Sequence, residues 1–248
     1  MSMEGDDILE QLGQVDRLRA ERAGDPPLAE RIACLKAYQS ERFSRSYADL
    51  LQEPRYRGAA RFFLDELYGP QEFGARDAQF ARVVPALVRM FPHDVVATVG
   101  TLARLHALSE SLDSDMARQL TSATVERAGY IAAWQATGRP DGRRQQIDLT
   151  LQIGVALDRF TRKPGLRTML RMMRRPAQTA GLGELQRFLE AGFETFGAMR
   201  GAADFLGVID KRESALVAAL FGADAITCAT ALSSGASAST CSLLGQLP

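Results

Sequence analysis

The sequence predicts an all-α fold, a single-domain bundle of about eight to ten helices. Apolar residues recur with helical spacing from Leu28 to Leu220, and short segments rich in proline and glycine separate the periodic stretches. Hydrophobic residues make up 46% of the 248 residues, enough for a sizeable core. Basic and acidic residues number 30 each, so no overall charge attracts nucleic acid or an anionic membrane.

Three parts of the chain differ in composition. Residues 1–24 carry a sparse apolar pattern among many charges, which predicts a peripheral N-terminal helix. Residues 25–222 form the predicted bundle domain, and the turn-forming residues of 137–143 mark the place for any subdomain break. Residues 223–248 are mostly alanine, serine, threonine and glycine, with no charge after Asp224, which predicts a mobile tail.

The predicted helices follow one another between these breaks. The segment Asp25-Pro26-Pro27 begins a long helix whose apolar stripe reaches about residue 52. A helix over about 75–90 is kinked by Pro85, because proline removes one backbone hydrogen bond. Further helices are predicted over 93–120, 124–135, 164–176 and on both sides of Gly201, and the last two are expected to form an antiparallel pair.

Residues 147–157 are ambiguous, because apolar residues alternate there as they do in a strand. No other segment alternates in this way, so a strand here would have no partner for its backbone groups. A helix that is apolar on two sides is normal at the centre of a bundle. We therefore predict a helix over these residues.

The segment Phe62–Tyr68 reads FFLDELY and is the densest apolar stretch of a predicted helix that ends at Gly69-Pro70. It closely resembles the signature of the uncharacterised bacterial FFLEELY-motif proteins, with Asp65 in place of a glutamate. The following Gly69-Pro70, Phe73, Arg76-Asp77 and Leu108-Ser109 are also similar to that family, from about Tyr47 to Phe221. The resemblance implies an all-helical bacterial protein of unknown activity and assigns no catalytic or binding residue.

One candidate polar pocket is formed by carboxylates, an arginine and a histidine on three predicted helices. Its members are Asp65, Glu66, Arg76, His106 and Glu110. A buried Glu66 needs a cationic partner, for which Arg76, Arg82 and Arg89 are candidates. A structural ion pair is favoured over a catalytic carboxylate.

A metal site on the helix with His106 is disfavoured. His106, Glu110 and Asp113 share one helix face, but a carboxylate-bridged metal bundle needs Glu-x-x-His motifs on two helices, and the sequence has none. We therefore predict no metal and no cofactor.

A basic segment covers residues 139–175, where ten basic residues face three acidic ones and leave a net charge of +7. Arg167, Arg171, Arg174 and Arg175 could contact phosphates on one broad helix face. A solvated face is favoured, because the segment lacks interleaved aromatic residues for stacking on bases. Nucleic acid is therefore a disfavoured partner.

No nucleophile elbow, nucleotide-binding loop or export signal occurs in the sequence. The three cysteines fit neither a disulfide framework nor a zinc site, which favours a cytoplasmic location, and no apolar run could span a membrane. The first hypothesis is a non-enzymatic helical interaction or scaffold protein, with a protein partner or a second copy. The alternatives are a small-molecule binder or enzyme that uses Glu66 and His106, and a protein that binds an anionic partner through the basic segment.

Overall fold

A computed structural model of the chain describes residues 3–67, 74–222, 224–228, 241 and 243–248. These residues form a single compact helical domain without a strand, which confirms the all-α prediction. Ten helices have seven or more residues when a π-helical turn is counted with the helix before it, in line with the expected number. The α-helices are α1 (Met3–Ala23), α2 (Pro26–Ser46), α3 (Ala48–Gln52), α4 (Arg57–Phe62), α5 (Gly74–Met90), α6 (His93–Gln119), α7 (Arg127–Thr137), α8 (Pro140–Thr161), α9 (Leu166–Met172), α10 (Arg174–Thr179), α11 (Gly183–Met199) and α12 (Ala203–Phe221).

The longest helix, α6, packs against α1, α2, α7 and α8. Near its start, Val96 and Ala103 lie in one apolar cluster with Ile8 and Leu12 of α1. Near its end, Met116 belongs to a different cluster that α2, α7 and α12 complete. Helices α7 and α8, which lie before and after the predicted break at residues 137–143, both pack against α6. The subdomain break at that position stays a prediction.

The FFLDELY segment departs from the continuous α-helix that the sequence predicted. Here α4 ends at Phe62, and a π-helical turn covers Phe63–Leu67. Both phenylalanines are buried, with Phe62 and Phe63 6% and 3% exposed. The side chains of Glu66 and Leu67, and all of Gly69-Pro70, lie outside the described residues.

Two sets of aromatic neighbours explain why both phenylalanines are buried. Phe62 lies 5.4 Å, centroid to centroid, from Phe188 of α11. A Cβ atom at Gly192 would come within 3.1 Å of the Phe62 ring, so the glycine allows this close approach. Phe63 packs against Phe205 of α12, with ring centroids 5.7 Å apart. The short helix is therefore held between α11 and α12.

Residues 147–157 lie within α8, so the helix predicted there is confirmed. Ile147 and Ile153 are buried, whereas Val155 is 60% exposed. Helices α11 and α12 were expected to pair with each other. Instead, α12 packs mainly against α8, and α11 packs against both α4 and α8.

Helix α1 is more deeply packed than a peripheral helix. Ile8, Leu12 and Val15 are buried, and α1 lies along α6. The sequence analysis underestimated α1 because its stripe continues with two arginines, Arg19 and Arg22, that form buried ion pairs instead of apolar contacts.

The described end of the tail, residues 243–248, lies against the bundle, and the mobility predicted for residues 223–248 stays a prediction. Leu244 and Leu247 are buried in the cluster of α2, α7 and α12. A disulfide joins Cys228 to Cys241, although the cysteine spacing was taken to exclude one. Residues 229–240 and 242 lie outside the described part, so the prediction is untested there.

Candidate functional site

A row of buried and half-buried charged and polar side chains runs between α1, α2, α5 and α6. The sequence placed three members on one face of α6, because His106, Glu110 and Asp113 are spaced four and three residues apart. Five partners come from the neighbouring helices. We call the whole set the polar seam: Arg19 and Arg22 of α1, Lys36 and Gln39 of α2, Asp77 of α5, and His106, Glu110 and Asp113 of α6.

The first group of the polar seam centres on Asp77. Its Oδ2 atom lies 2.6 Å from Arg19 Nη2 and 2.7 Å from His106 Nε2. Burial raises the pKa of the Asp77 carboxyl, but the hydrogen bonds and charges of His106 and Arg19 outweigh this effect, and the pKa is lowered. Asp77 therefore stays ionised and joins α1, α5 and α6.

The second group centres on Glu110. Arg22 donates to one carboxylate oxygen, and Lys36 Nζ lies 2.6 Å from the other. Burial raises the pKa of Glu110, but Lys36 and Arg22 together lower it to about 2. Glu110 is thus an ionised carboxylate that joins α1 and α2 to α6.

The third group is Asp113, whose Oδ1 accepts a hydrogen bond of 3.0 Å from Gln39 Nε2. Burial raises the pKa of Asp113, because Lys36 and Arg143 offset only part of the lost hydration. Two carboxyls one helical turn apart therefore have pKa values shifted in opposite directions, as acid–base pairs do. In this pair, however, both carboxylate oxygens of Glu110 are already paired with cations, Arg22 and Lys36.

A shallow cleft of about 300 Å³ opens between α6 and α8, and no member of the polar seam lines it. Its lining residues are His93, Asp94, Ala97, Thr98, Thr101, Gln152 and Arg159. Asp94 Oδ2 lies 2.6 Å from Lys163 Nζ, and the hydroxyls of Thr98 and Thr101 donate to carbonyls of α6 itself. These groups are already paired within the protein, so the cleft has little free hydrogen-bonding capacity.

The basic segment divides into paired and unpaired cations. Arg174 Nε contacts both carboxylate oxygens of Glu190, at 2.7 and 2.8 Å. Arg167, Arg171 and Arg175 are exposed, and their guanidinium groups form no salt bridge with any residue that the structure describes. Among the described residues, these three arginines of α9 and α10 have no salt-bridge partner, although Arg174 and Arg171 together lower the pKa of the Glu190 carboxyl.

Three methionines lie near these arginines in the sequence: Met169 and Met172 on α9, and Met173 between α9 and α10. Met172 is 74% exposed, the highest value among the large hydrophobic residues that the structure describes, and Met169 and Met173 are 36% and 39% exposed. We define the basic surface as Arg167, Arg171, Arg175, Met169, Met172 and Met173. It combines positive charge with flexible apolar side chains, a combination suited to binding another molecule.

The model of a family described as a domain of unknown function, DUF8198, matches residues 18–226 of this chain. The chain belongs to this family. The matched range contains the polar seam and the basic surface of this DUF8198 protein, while the disulfide and residues 243–248 lie beyond it. No curated protein and no solved structure matches the chain.

The predicted pocket of the DUF8198 protein is only partly described. Asp65 is exposed on the π-helical turn, and the side chains of Glu66 and Arg76 lie outside the described residues. His106 and Glu110 belong to different ion groups of the polar seam. The grouping of all five residues in one pocket therefore stays a prediction. Within the described part of the chain, no three histidine, cysteine or carboxylate side chains are placed to hold a metal ion.

The sequence analysis missed the partners of α6 on α1 and α2. A signal was present on α1, where Ile8, Leu12, Val15, Arg19 and Arg22 follow alternating spacings of four and three. Arginines that continue an apolar stripe face the same neighbour as that stripe, so they require carboxylates there.

Proposed function

We propose that this DUF8198 protein is a non-enzymatic helical interaction protein that docks an acidic, amphipathic protein segment on its basic surface. The observation that carries the proposal is the basic surface itself: within residues 167–175, three exposed arginines without a salt bridge to any described residue share a short stretch with the exposed Met172, in a chain of zero net charge. Charged side chains with free donors attract an acidic partner, while methionine side chains adapt to its apolar face.

The polar seam supports a structural role for His106 and Glu110, two members of the candidate polar pocket. His106 pairs with Asp77, and Glu110 pairs with two cations. A general base or acid needs a lone pair or proton free to meet a substrate. The contact with Asp77 engages Nε2 of His106, so the enzyme alternative that uses Glu66 and His106 would have to use the Nδ1 atom of that side chain.

A protein segment fits the basic surface better than a nucleic acid does. Single-stranded nucleic acids bind on aromatic side chains that stack with bases, and α9 and α10 contain no aromatic residue. Duplex binding rests on many phosphate contacts, whereas this surface offers three unpaired arginines. The exposed methionines match the apolar face of a helix instead.

The test uses a fluorescent synthetic helical peptide with glutamates on one face and leucines on the other. We expect the protein to bind this peptide at low salt, with affinity that falls as salt rises. Alanine at Arg167, Arg171 and Arg175 together should weaken binding about 10- to 100-fold, from about 0.5–1 kcal/mol for each exposed charge.

A matched control removes three other exposed arginines, Arg57, Arg61 and Arg104, and should leave peptide affinity nearly unchanged. An equal loss in both triple variants would show that net charge alone drives binding. Absence of peptide binding, or tighter binding to duplex DNA than to the peptide, would refute the proposed partner.

Two narrower expectations belong to the same proposal. The FFLDELY segment supports membership of the bacterial FFLEELY-motif proteins. The basic surface is also compatible with a second copy of the chain as partner, and light scattering would detect such a dimer. No described helix is long and apolar enough to cross a membrane. A cytoplasmic location was inferred from the cysteine pattern, and the disulfide between Cys228 and Cys241 removes that support.

A further inference from the structure

The last described residues lie on the bundle in the manner of a bound peptide. Leu244 and Leu247, three residues apart, are 3% and 1% exposed. They pack in the cluster that contains Leu28 and Ile32 of α2 and Leu220 of α12. A short helical turn, Leu244–Gln246, places both leucines on the side that faces the bundle. Apolar anchors at this spacing are typical of a peptide that binds in a groove between helices.

Side-chain donors of the bundle also recognise the backbone of this segment. Arg127 of α7 and Arg45 of α2 donate to the carbonyl oxygen of Leu247, at 2.7 and 3.3 Å. Tyr38 Oη donates to the carbonyl oxygen of Pro248 at 3.2 Å. These donors are 120 to 210 residues away from the segment along the chain. They would therefore form the same hydrogen bonds with residues 243–248 of another molecule.

The disulfide controls how the segment is attached. Cys228 follows α12, and Cys241 stands two residues before Leu243, with sulfur atoms bonded across a sequence separation of 13. While the bond is intact, the segment is tethered beside its own groove. Once the bond is reduced, the only covalent connection runs through residues 229–240, which span up to about 40 Å when extended.

We propose that the groove between α2 and α12, with Arg127 at its side, is a docking site for residues 243–248 of a second copy of this chain. Reduction of the Cys228–Cys241 disulfide by a dithiol yields two cysteine thiols and the oxidised, cyclic dithiol. The released segment then exchanges between copies, because the swapped arrangement recreates every contact of the original one.

Exchange followed by reoxidation supplies the test. The chain carries Cys34→Ser, since Cys34 is a half-buried free thiol that could form unrelated cross-links. It is reduced with dithiothreitol, concentrated, and reoxidised with glutathione disulfide, which accepts the two electrons. Swapped copies then trap Cys228 of one molecule with Cys241 of the other, and we expect a covalent dimer on a non-reducing gel and in light scattering. The same chain kept oxidised throughout, and taken through the same concentration step, should form no covalent dimer.

The matched control adds Leu244→Ser and Leu247→Ser to the Cys34→Ser chain. The dimer yield should then fall about tenfold or more, since loss of two buried leucine anchors weakens docking by at least that factor. Circular dichroism checks that both chains keep the same helix content. A reoxidised sample that contains only monomer overturns the proposal, and so does a dimer that forms equally well without the two leucines.

A second measurement tests whether the groove binds residues 243–248 when they are not attached to the same chain. A labelled synthetic peptide of residues 243–248 is added to the reduced Leu244→Ser, Leu247→Ser chain, whose own segment leaves the groove vacant. We expect saturable binding that Arg127→Ala weakens severalfold. If the peptide does not bind, the groove is specific to an attached segment and exchange between copies is refuted.

Discussion

Replacing Glu110 with glutamine isolates the energetic contribution of the polar seam. The variant keeps the shape of the side chain but leaves Arg22 and Lys36 without a buried counter-charge. The pKa of the Glu110 carboxyl is 4.5 in its ordinary state and about 2 in the fold, which corresponds to about 3 kcal/mol of stability at neutral pH. Removing one partner of a buried pair costs about 3–5 kcal/mol. We therefore expect a loss of about 3–5 kcal/mol, measured by urea unfolding at pH 7.

The direction of the Glu110 pKa shift predicts how the stability difference between wild type and Glu110→Gln changes with pH. The folded pKa of Glu110 lies below its unfolded value, so its contribution is fully present above pH 4.5 and is lost as the pH falls toward about 2. The difference between wild type and Glu110→Gln should shrink over that interval, because the wild-type carboxyl becomes neutral as well. A difference below about 1 kcal/mol at pH 7, or one that does not change with pH, would refute the electrostatic reasoning.

Two further variants complete this experiment. Glu41 forms an exposed pair with Arg45, so Glu41→Gln is a matched control and should cost at most about 0.5 kcal/mol. Changing Arg22 and Lys36 to methionine and Glu110 to leucine together removes the ions without leaving one unpaired. This triple variant should recover most of the lost stability, since apolar replacements of buried ion groups are often neutral or stabilising.

The remaining predictions concern packing and are measured by urea or thermal unfolding. Phe63→Ala should cost about 3–5 kcal/mol through lost contacts and a cavity, and a loss below about 1 kcal/mol would mean that the aromatic cluster closes without it. At Gly154, a new Cβ atom would come within 2.5 Å of Leu206, so Gly154→Ala should destabilise by about 1–3 kcal/mol before its gain in helix propensity. Gly207→Ala meets no atom within 4 Å and should stabilise by up to about 1 kcal/mol; the opposite order of these two variants would contradict the packing of α8 on α12.

Sequence reasoning succeeded where local signals determine structure. The limits of α6 follow from Pro92 before it and from the end of its apolar pattern, and α8 follows from the rule that an isolated strand cannot satisfy its backbone. The π-helical turn over Phe63–Leu67 had no such signal. It begins at the second of two adjacent buried phenylalanines, Phe62 and Phe63, and the aromatic rings that contact them lie on α11 and α12, more than a hundred residues later.

The two segments whose packing was underestimated share one physical cause. α1 was judged by its sparse apolar residues, and residues 243–248 were judged by the composition of the tail around them. Besides its buried apolar residues, each is held by polar partners distant in sequence: Arg22 contacts Glu110 at a separation of 88 residues, and Tyr38 donates to Pro248 at a separation of 210. A prediction from composition considers only the apolar surface of the segment itself. It omits the hydrogen-bond donors and acceptors on other helices that can pair with the segment. The reliable warning is therefore an unmatched polar group inside an otherwise apolar stripe, because such a group must find its partner on another element.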